Sequence, residues 1–178
     1  FEDDTEVSVM DHSSLIIDSY VYSSDATKSK MAMRFASGTI RFATGRFNNK
    51  KNISIKTQSA DVYVRGTEFS ITTTPETGAS LVVLLPDKFG NPSGEISVQT
   101  AMGEVILNKA FQATTAMTYN QAPSKPVILD LTLDQLDNML IVNPPKQTQA
   151  SLNENPVVKT ADYLAFDDLD VDFLAEDL

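Results

Sequence analysis

The chain's one histidine, His12, sits in the run Asp11-His12-Ser13-Ser14, which holds the three residue types of a nucleophilic relay. A relay needs hydroxyl, imidazole and carboxylate converging on one point. Neighbours along a strand point to opposite faces, so four consecutive residues do not converge, and the run reads as a surface turn. Carboxylates are paired at Asp3-Asp4, Asp167-Asp168 and Asp170/Asp172. Glycoside hydrolysis uses such pairs, but only across a cleft at a fixed separation, and these read as solvated charge. In residues 86–95, Asp87, Asn91 and Glu95 offer oxygen donors of the kind calcium takes. The EF-hand spacing is absent, and the segment reads as a hairpin loop. The chain has no cysteine, so disulfides, thiolate metal sites and cysteine nucleophiles are excluded together. It has no glycine-rich phosphate cradle. A non-enzymatic protein is expected, with no catalytic residue, no metal and no cofactor.

The 178 residues carry a formal charge of −10. Nucleic-acid phosphates need a basic face to neutralise them, so nucleic acid is not an expected partner. No apolar run approaches the length of a transmembrane helix, and no direct membrane insertion is expected. The opening at Phe1 is abrupt and reads as a piece of a longer chain. The charge is uneven: residues 161–178 hold Asp162, Asp167, Asp168, Asp170, Asp172, Glu176 and Asp177 with no Lys or Arg. The body is nearly balanced and the tail is a separate electrostatic object.

Something must position whatever surface the chain uses, and the first two thirds read as strands. Apolar residues alternate with polar ones at Val7/Val9, Ile40/Phe42, Ile53/Ile55, Val62/Val64, Phe69/Ile71, Ile96/Val98 and Val105/Leu107. Period-two spacing puts each set on one face of a short strand. Residues 81–85, LVVLL, are apolar on both faces and read as a central strand closed by Pro86-Asp87. An internal repeat aligns ISIKTQSADVYV (53–64) with ISVQTAMGEVIL (96–107) without gaps. Residues 33–45 are a looser third copy and residues 7–17 a fourth. The expected fold is all-β: stacked strand–turn–strand units, either β-solenoid-like or a two-sheet sandwich. Residues 1–119 would form this domain.

Residues 118–126 read as linker. A short helix follows within 120–143, with Thr132 and Gln135 as a capping box, Leu133, Leu136, Met139 and Leu140 at helical spacing, and Asn143-Pro144-Pro145 as the stop. Residues 144–160 read as a polar, extended linker. The tail, 161–178, is acidic but too apolar for a plain solvated run. Tyr163, Phe166, Leu169, Val171, Phe173 and Leu174 are the expected docking residues, in a segment that folds against a partner's groove or sheet edge.

Within the β region, Ala60, Val62, Val64, Arg65, Gly66, Thr67, Phe69 and Ile71 follow the pattern A-x-V-x-V-[RL]-G-T-x-F-x-V. This stretch resembles the central signature of FecR-like domains. Residues 36–45 resemble the family's preceding strand, and residues 94–107 its following one. Gln58-Ser59 departs from the pattern, where the family often has proline. The resemblance implies a β-rich module of the periplasm or cell surface that works through protein contacts, with Arg65, Gly66, Thr67 and Phe69 as a structural signature. Segments such as SLIIDSYVY and LDVDFL are also similar to FecR-like proteins that tailed phages of marine bacteria encode as virion components. The leading expectation is a virion structural module in the virion or outside the cell, docking onto copies of itself or other structural subunits. The alternative is a periplasmic or cell-surface sensor of a bacterial envelope that binds protein partners.

Overall fold

The computed structural model describes residues 1–25, 27–45 and 52–130. The chain divides into two units, Phe1–Leu140 and Ile141–Leu178, and every described residue belongs to the first. The expected helix within 120–143, the linker 144–160 and the docking tail 161–178 lie outside the described residues.

The described chain is all-β, as the alternation requires. Its strands are β1 (Glu6–Val9), β2 (Ser14–Val21), β3 (Lys30–Ala43), β4 (Ile53–Lys56), β5 (Asp61–Arg65), β6 (Glu68–Thr73), β7 (Ser80–Leu84), β8 (Glu95–Thr100), β9 (Gly103–Leu107), β10 (Gln112–Ala116) and β11 (Val127–Ile128). They form one curled, mixed sheet in the order β11-β10-β7-β6-β3-β4-β5-β8-β9, with β1 and β2 flanking β3. Among the described pairings only β3–β4 is parallel. A β-solenoid stacks parallel coils, so of the two expected architectures the antiparallel, two-layered one is the fold.

The curl happens inside β3. Residues 30–37 pair with β2 and β4, while residues 38–43 pair with β1 and β6. Two leaves result. Leaf one holds β2, the start of β3, β4, β5, β8 and β9; leaf two holds β1, the end of β3, β6, β7, β10 and β11. Gly38 sits at the bend with φ +94°, and a Cβ there would overlap Ser13. The third expected repeat copy, residues 33–45, is therefore one bent strand and not a hairpin. The fourth, residues 7–17, is also no hairpin, since β1 and β2 each pair with β3 and not with each other.

The two clear repeat copies are real hairpins, β4–β5 and β8–β9, and they lie side by side through β5–β8. Their inward residues, including Ile53, Ile55, Val62, Val64, Ile96 and Val98, share one core with Phe35, Ile40, Phe42, Phe69, Ile71, Val82 and Leu84. Each such buried side chain contributes about 1.5–3 kcal/mol before entropy is counted. β7 is central in leaf two, between β6 and β10. It is apolar on both faces because its outer residue Val83 joins Leu85 and Ala113 in a second small cluster against Met10, Phe111 and Leu129. Hydroxyls brace the leaves: Ser80 Oγ donates to Thr57 Oγ1 at 2.9 Å, receives Ser59 Oγ at 2.8 Å and lies 3.0 Å from Thr73 Oγ1.

Candidate protein-docking surface

Arg65, Gly66, Thr67 and Phe69 mark the place where the chain leaves leaf one and enters leaf two. β5 ends at Arg65 and β6 begins at Glu68, so two residues make the crossing. Gly66 takes φ +50°, a left-handed conformation that costs other residues about 1–2 kcal/mol. Gly94, which runs alongside, has no room for a Cβ against the carbonyl oxygens of Arg65 and Gly66. Thr67 is buried, with its hydroxyl 2.7 Å from Ser93 Oγ. Ser93 Oγ accepts from Glu68 N at 2.9 Å and donates to Leu85 O at 2.6 Å. Glu68 bridges Arg41 at 3.2 Å. The Phe69 ring stacks on Phe42 with centroids 5.1 Å apart. The structure brings the signature together as one tightly packed crossover, with only Arg65 exposed.

Arg65 opens onto the outer face of leaf one. Opposite it on β8 is Glu95, and the next row across the leaf reads Ser54, Tyr63, Ser97 and Ile106. Tyr63, Val64, Arg65, Glu95, Ser97, Glu104 and Ile106 line a shallow depression of 170 Å³. Beside it Tyr119 donates to the Asp61 carboxylate at 3.3 Å. That negative neighbour raises the Tyr119 phenol above its ordinary range. The depression is open and mixed in charge, so it can receive one side chain of a partner rather than enclose a substrate.

The residues singled out for chemistry do not converge. His12 lies exposed in the β1–β2 turn with φ 60°. Ser13 Oγ donates to Thr39 O at 3.1 Å and accepts from Thr39 N at 2.9 Å, which ties the turn to the bend in β3. Asp87 Oδ1 caps its own loop, accepting from Phe89 N and Asn91 N at 2.8 and 2.9 Å. Glu95 is on the face of β8, away from that turn. Among the described residues no group of three or more His, Asp or Glu could hold a metal ion, and no helix is long and apolar enough to cross a membrane.

A surface the alternation did not announce is the edge formed by the first two strands. Among the described strands, β1 and β2 each have β3 as their one partner, so both are edges, one in each leaf. Val9 on β1 and Ile16, Ile17 and Val21 on β2 are 47–51% exposed. The register of β2 slips between Ile17 and Ser19, and ahead of that bulge Ile16 stands opposite Arg34 and Ile17 opposite the buried Met33, so the two isoleucines lie on opposite faces, each half-exposed at the edge. Asp18 at the bulge is held by Arg34 at 2.7 Å, and the hydrogen bonds from that guanidinium lower its pKa. The sequence signal was present in two adjacent isoleucines, since a regular strand cannot send both inward. The expected docking residues Tyr163, Phe166, Leu169, Val171, Phe173 and Leu174 lie outside the described residues.

The fold has counterparts among known structures. A candidate anti-sigma factor from Parabacteroides distasonis ATCC 8503 superposes with a TM-score of 0.51 at 15% identity, over 72% of this chain and 53% of that one. A second structure of the same description matches with a TM-score of 0.45 at 13% identity, over 71% of this chain and 61% of that one. The chain thus spans little more than half the length of these structures, and at such identity the likeness is one of fold. No curated protein sequence matches the chain. The family model described as FecR protein matches residues 1–85, from the N-terminal edge through the Arg65–Phe69 crossover to the end of β7. The FecR match thus takes in a little under half of the chain, residues 1–85.

Proposed function

We propose that this protein is a non-enzymatic, protein-binding module of a bacterial envelope regulatory system, acting in the periplasm or at the cell surface. The observation that carries the reading is the open edge of β1 and β2. Four large aliphatic side chains about half exposed on neighbouring edges, in a sandwich whose core is otherwise well filled, mark a contact surface. An edge strand binds extended segments through its main chain and selects them through alternate side chains. The FecR match over residues 1–85 supports a regulatory rather than a catalytic role. The fold shared with a candidate anti-sigma factor supports the same reading. The acidic tail, with Tyr163, Phe166, Leu169, Val171, Phe173 and Leu174, serves as a second contact tethered to the first.

The virion role rests on the narrower resemblance to phage-encoded proteins. Neither the family match nor the fold comparison supports it, so the envelope reading takes precedence.

The test places a photo-crosslinking residue at Ile17 and, separately, at the buried Val62 in cells expressing the full chain. The expected result is fractionation with the envelope, crosslinking from position 17 alone to an envelope protein, and altered sigma-dependent transcription in an Ile17→Lys variant. Recovery of the chain in purified virions, with transcription unchanged, overturns the proposal.

A further inference from the structure

We propose that the outer face of leaf one binds a neutral, extended glycan of the cellulose or chitin type, laid across its strands. The site is separate from the β1–β2 edge and goes beyond the docking reading. The pairing registers set Ala32, Ser54, Tyr63, Ser97 and Ile106 side by side, one residue from each of β3, β4, β5, β8 and β9. All of them are half-buried or exposed, between neighbours that turn inward. Ala32, Ser54 and Ser97 are short, so the row is low, and Tyr63 rises from it with a serine on either side.

Longer side chains wall the row. Lys30, Arg65 and Glu95 stand on one side of it, and Arg34, Lys56, Gln99 and Glu104 on the other. Residues on one face of a strand are about 6.7 Å apart, so the two walls are about 13 Å apart. The result is a straight trough, one polymer wide.

Spacing, charge and chemistry choose what lies in it. Neighbouring strands are about 4.8 Å apart, close to the advance of one sugar in a flat, equatorially linked chain, so each strand meets one sugar. An extended peptide advances about 3.3 Å per residue and falls out of step. Peptides also join a sheet through the main chain at an edge, which a face does not offer. On this face Lys30, Arg34, Lys56 and Arg65 are balanced by Asp18, Asp61, Glu95 and Glu104, so a polyanion is not favoured. A pyranose has an apolar C–H face and a rim of hydroxyls. Tyr63 supplies a ring for the face, and held polar groups supply partners for the rim. Gln99 Nε2 donates to Ser97 Oγ at 3.2 Å and to Glu104 Oε1 at 3.0 Å. Groups already held lose little freedom on binding. The 170 Å³ depression over Tyr63, Ser97 and Ile106 has room for about five waters, or one sugar ring. Being open, it passes a chain along rather than enclosing a small molecule.

The experiment is isothermal titration calorimetry of the full chain with cellohexaose, chitohexaose and the disaccharide of each, with maltohexaose, whose axial linkages coil it, as control. A cellulose- or chitin-type hexaose is expected to bind about tenfold or more tighter than its disaccharide, which meets two strands only. Tyr63→Ala should weaken that binding about tenfold. Ser54→Arg, which fills the floor, should abolish it, with a denaturation midpoint near that of wild type; if that midpoint falls, Tyr63→Ala decides. Ile17→Lys should leave the sugar affinity unchanged, so the glycan site and the docking edge stand or fall separately. The inference is overturned if neither hexaose binds, if a hexaose binds no tighter than its disaccharide, if maltohexaose binds equally well, or if folded Tyr63→Ala keeps full affinity.

Discussion

At the crossover between β5 and β6, Thr67 is 2% exposed and Phe69 fully buried, whereas on β2 Ile16 and Ile17 are 47% and 51% exposed. Both regions are rich in β-formers, yet one is packed on every side and the other on one side only. The crossover spends its side chains on the body: Thr67 and Ser93 satisfy backbone groups, Phe69 stacks on Phe42, and Gly94 lets two backbone segments approach closely. The edge leaves its isoleucines to water and its bulge to a salt bridge. The motif by which the family is recognised and the surface on which a partner can land are therefore different parts of the molecule. A substitution in the first should act on stability, and one in the second on association.

The contrast breaks first at the core. Phe69→Ala removes a fully buried ring from the stack on Phe42, and such truncations cost about 4 kcal/mol. Urea denaturation should show a large loss of midpoint; a loss under 1 kcal/mol would mean the crossover is not packed as described. Next come the two glycines, which separate two mechanisms. Gly94→Ala forces a Cβ into the carbonyls of Arg65 and Gly66, and should cost about 3 kcal/mol through overpacking. Gly66→Ala meets nothing within 4 Å and pays only for its φ of +50°, about 1 kcal/mol. The order of the two midpoints checks this, and Gly66→Asn should recover part of the smaller loss because asparagine tolerates that conformation.

The alternation showed the strands, and the repeat showed the β4–β5 and β8–β9 hairpins, because period two is a local property that burial on one face enforces. What stayed hidden was non-local. Nothing in residues 33–45 says that one strand will bend at Gly38 and serve both leaves, since the bend depends on Ser13 approaching from a distant turn. The repeat therefore suggested a third hairpin there. The crossover signature was readable as a corner from Gly66, but its partners Ser93 and Gly94 come from a loop some 25 residues on and carry no local mark. The docking edge was the least legible. Exposure of Ile16 and Ile17 follows from β2 having one neighbour and a register slip, both properties of the assembled sheet. The tail's acids and aliphatics read as contact residues, but no partner can be read with them, because complementarity is a relation between two segments.

On the open side the effects should be small in stability and large in binding. Ile17→Lys replaces a half-exposed side chain at an edge and should shift stability by no more than about 0.5 kcal/mol. If its denaturation midpoint falls as far as that of Phe69→Ala, the edge is core and the contrast fails.

The smallest expected effect is on the pH dependence at this same edge. Hydrogen bonds from Arg34 hold the Asp18 carboxyl below its ordinary value of 3.8, and bonds from Thr27 do the same for Asp25. A carboxylate with a depressed folded pKa contributes stability that is present above its ordinary value and is lost as the pH falls through the depressed one. Wild type should therefore lose this contribution only below about pH 4. Because both groups sit in surface ion pairs, the change should be slight and weaker still at high salt. Arg34→Ala should remove the Asp18 share, leaving denaturation midpoints that converge with those of wild type at low pH and differ slightly near neutrality. The same variant takes one cation from the flank of β2. If the flank attracts an acidic partner, Arg34→Ala should weaken crosslinking from position 17 more in dilute buffer than in high salt, while its thermal midpoint hardly moves. A variant that loses stability and association in proportion would instead make the Asp18–Arg34 bridge part of the frame, and the edge would no longer be separable from the body that holds it.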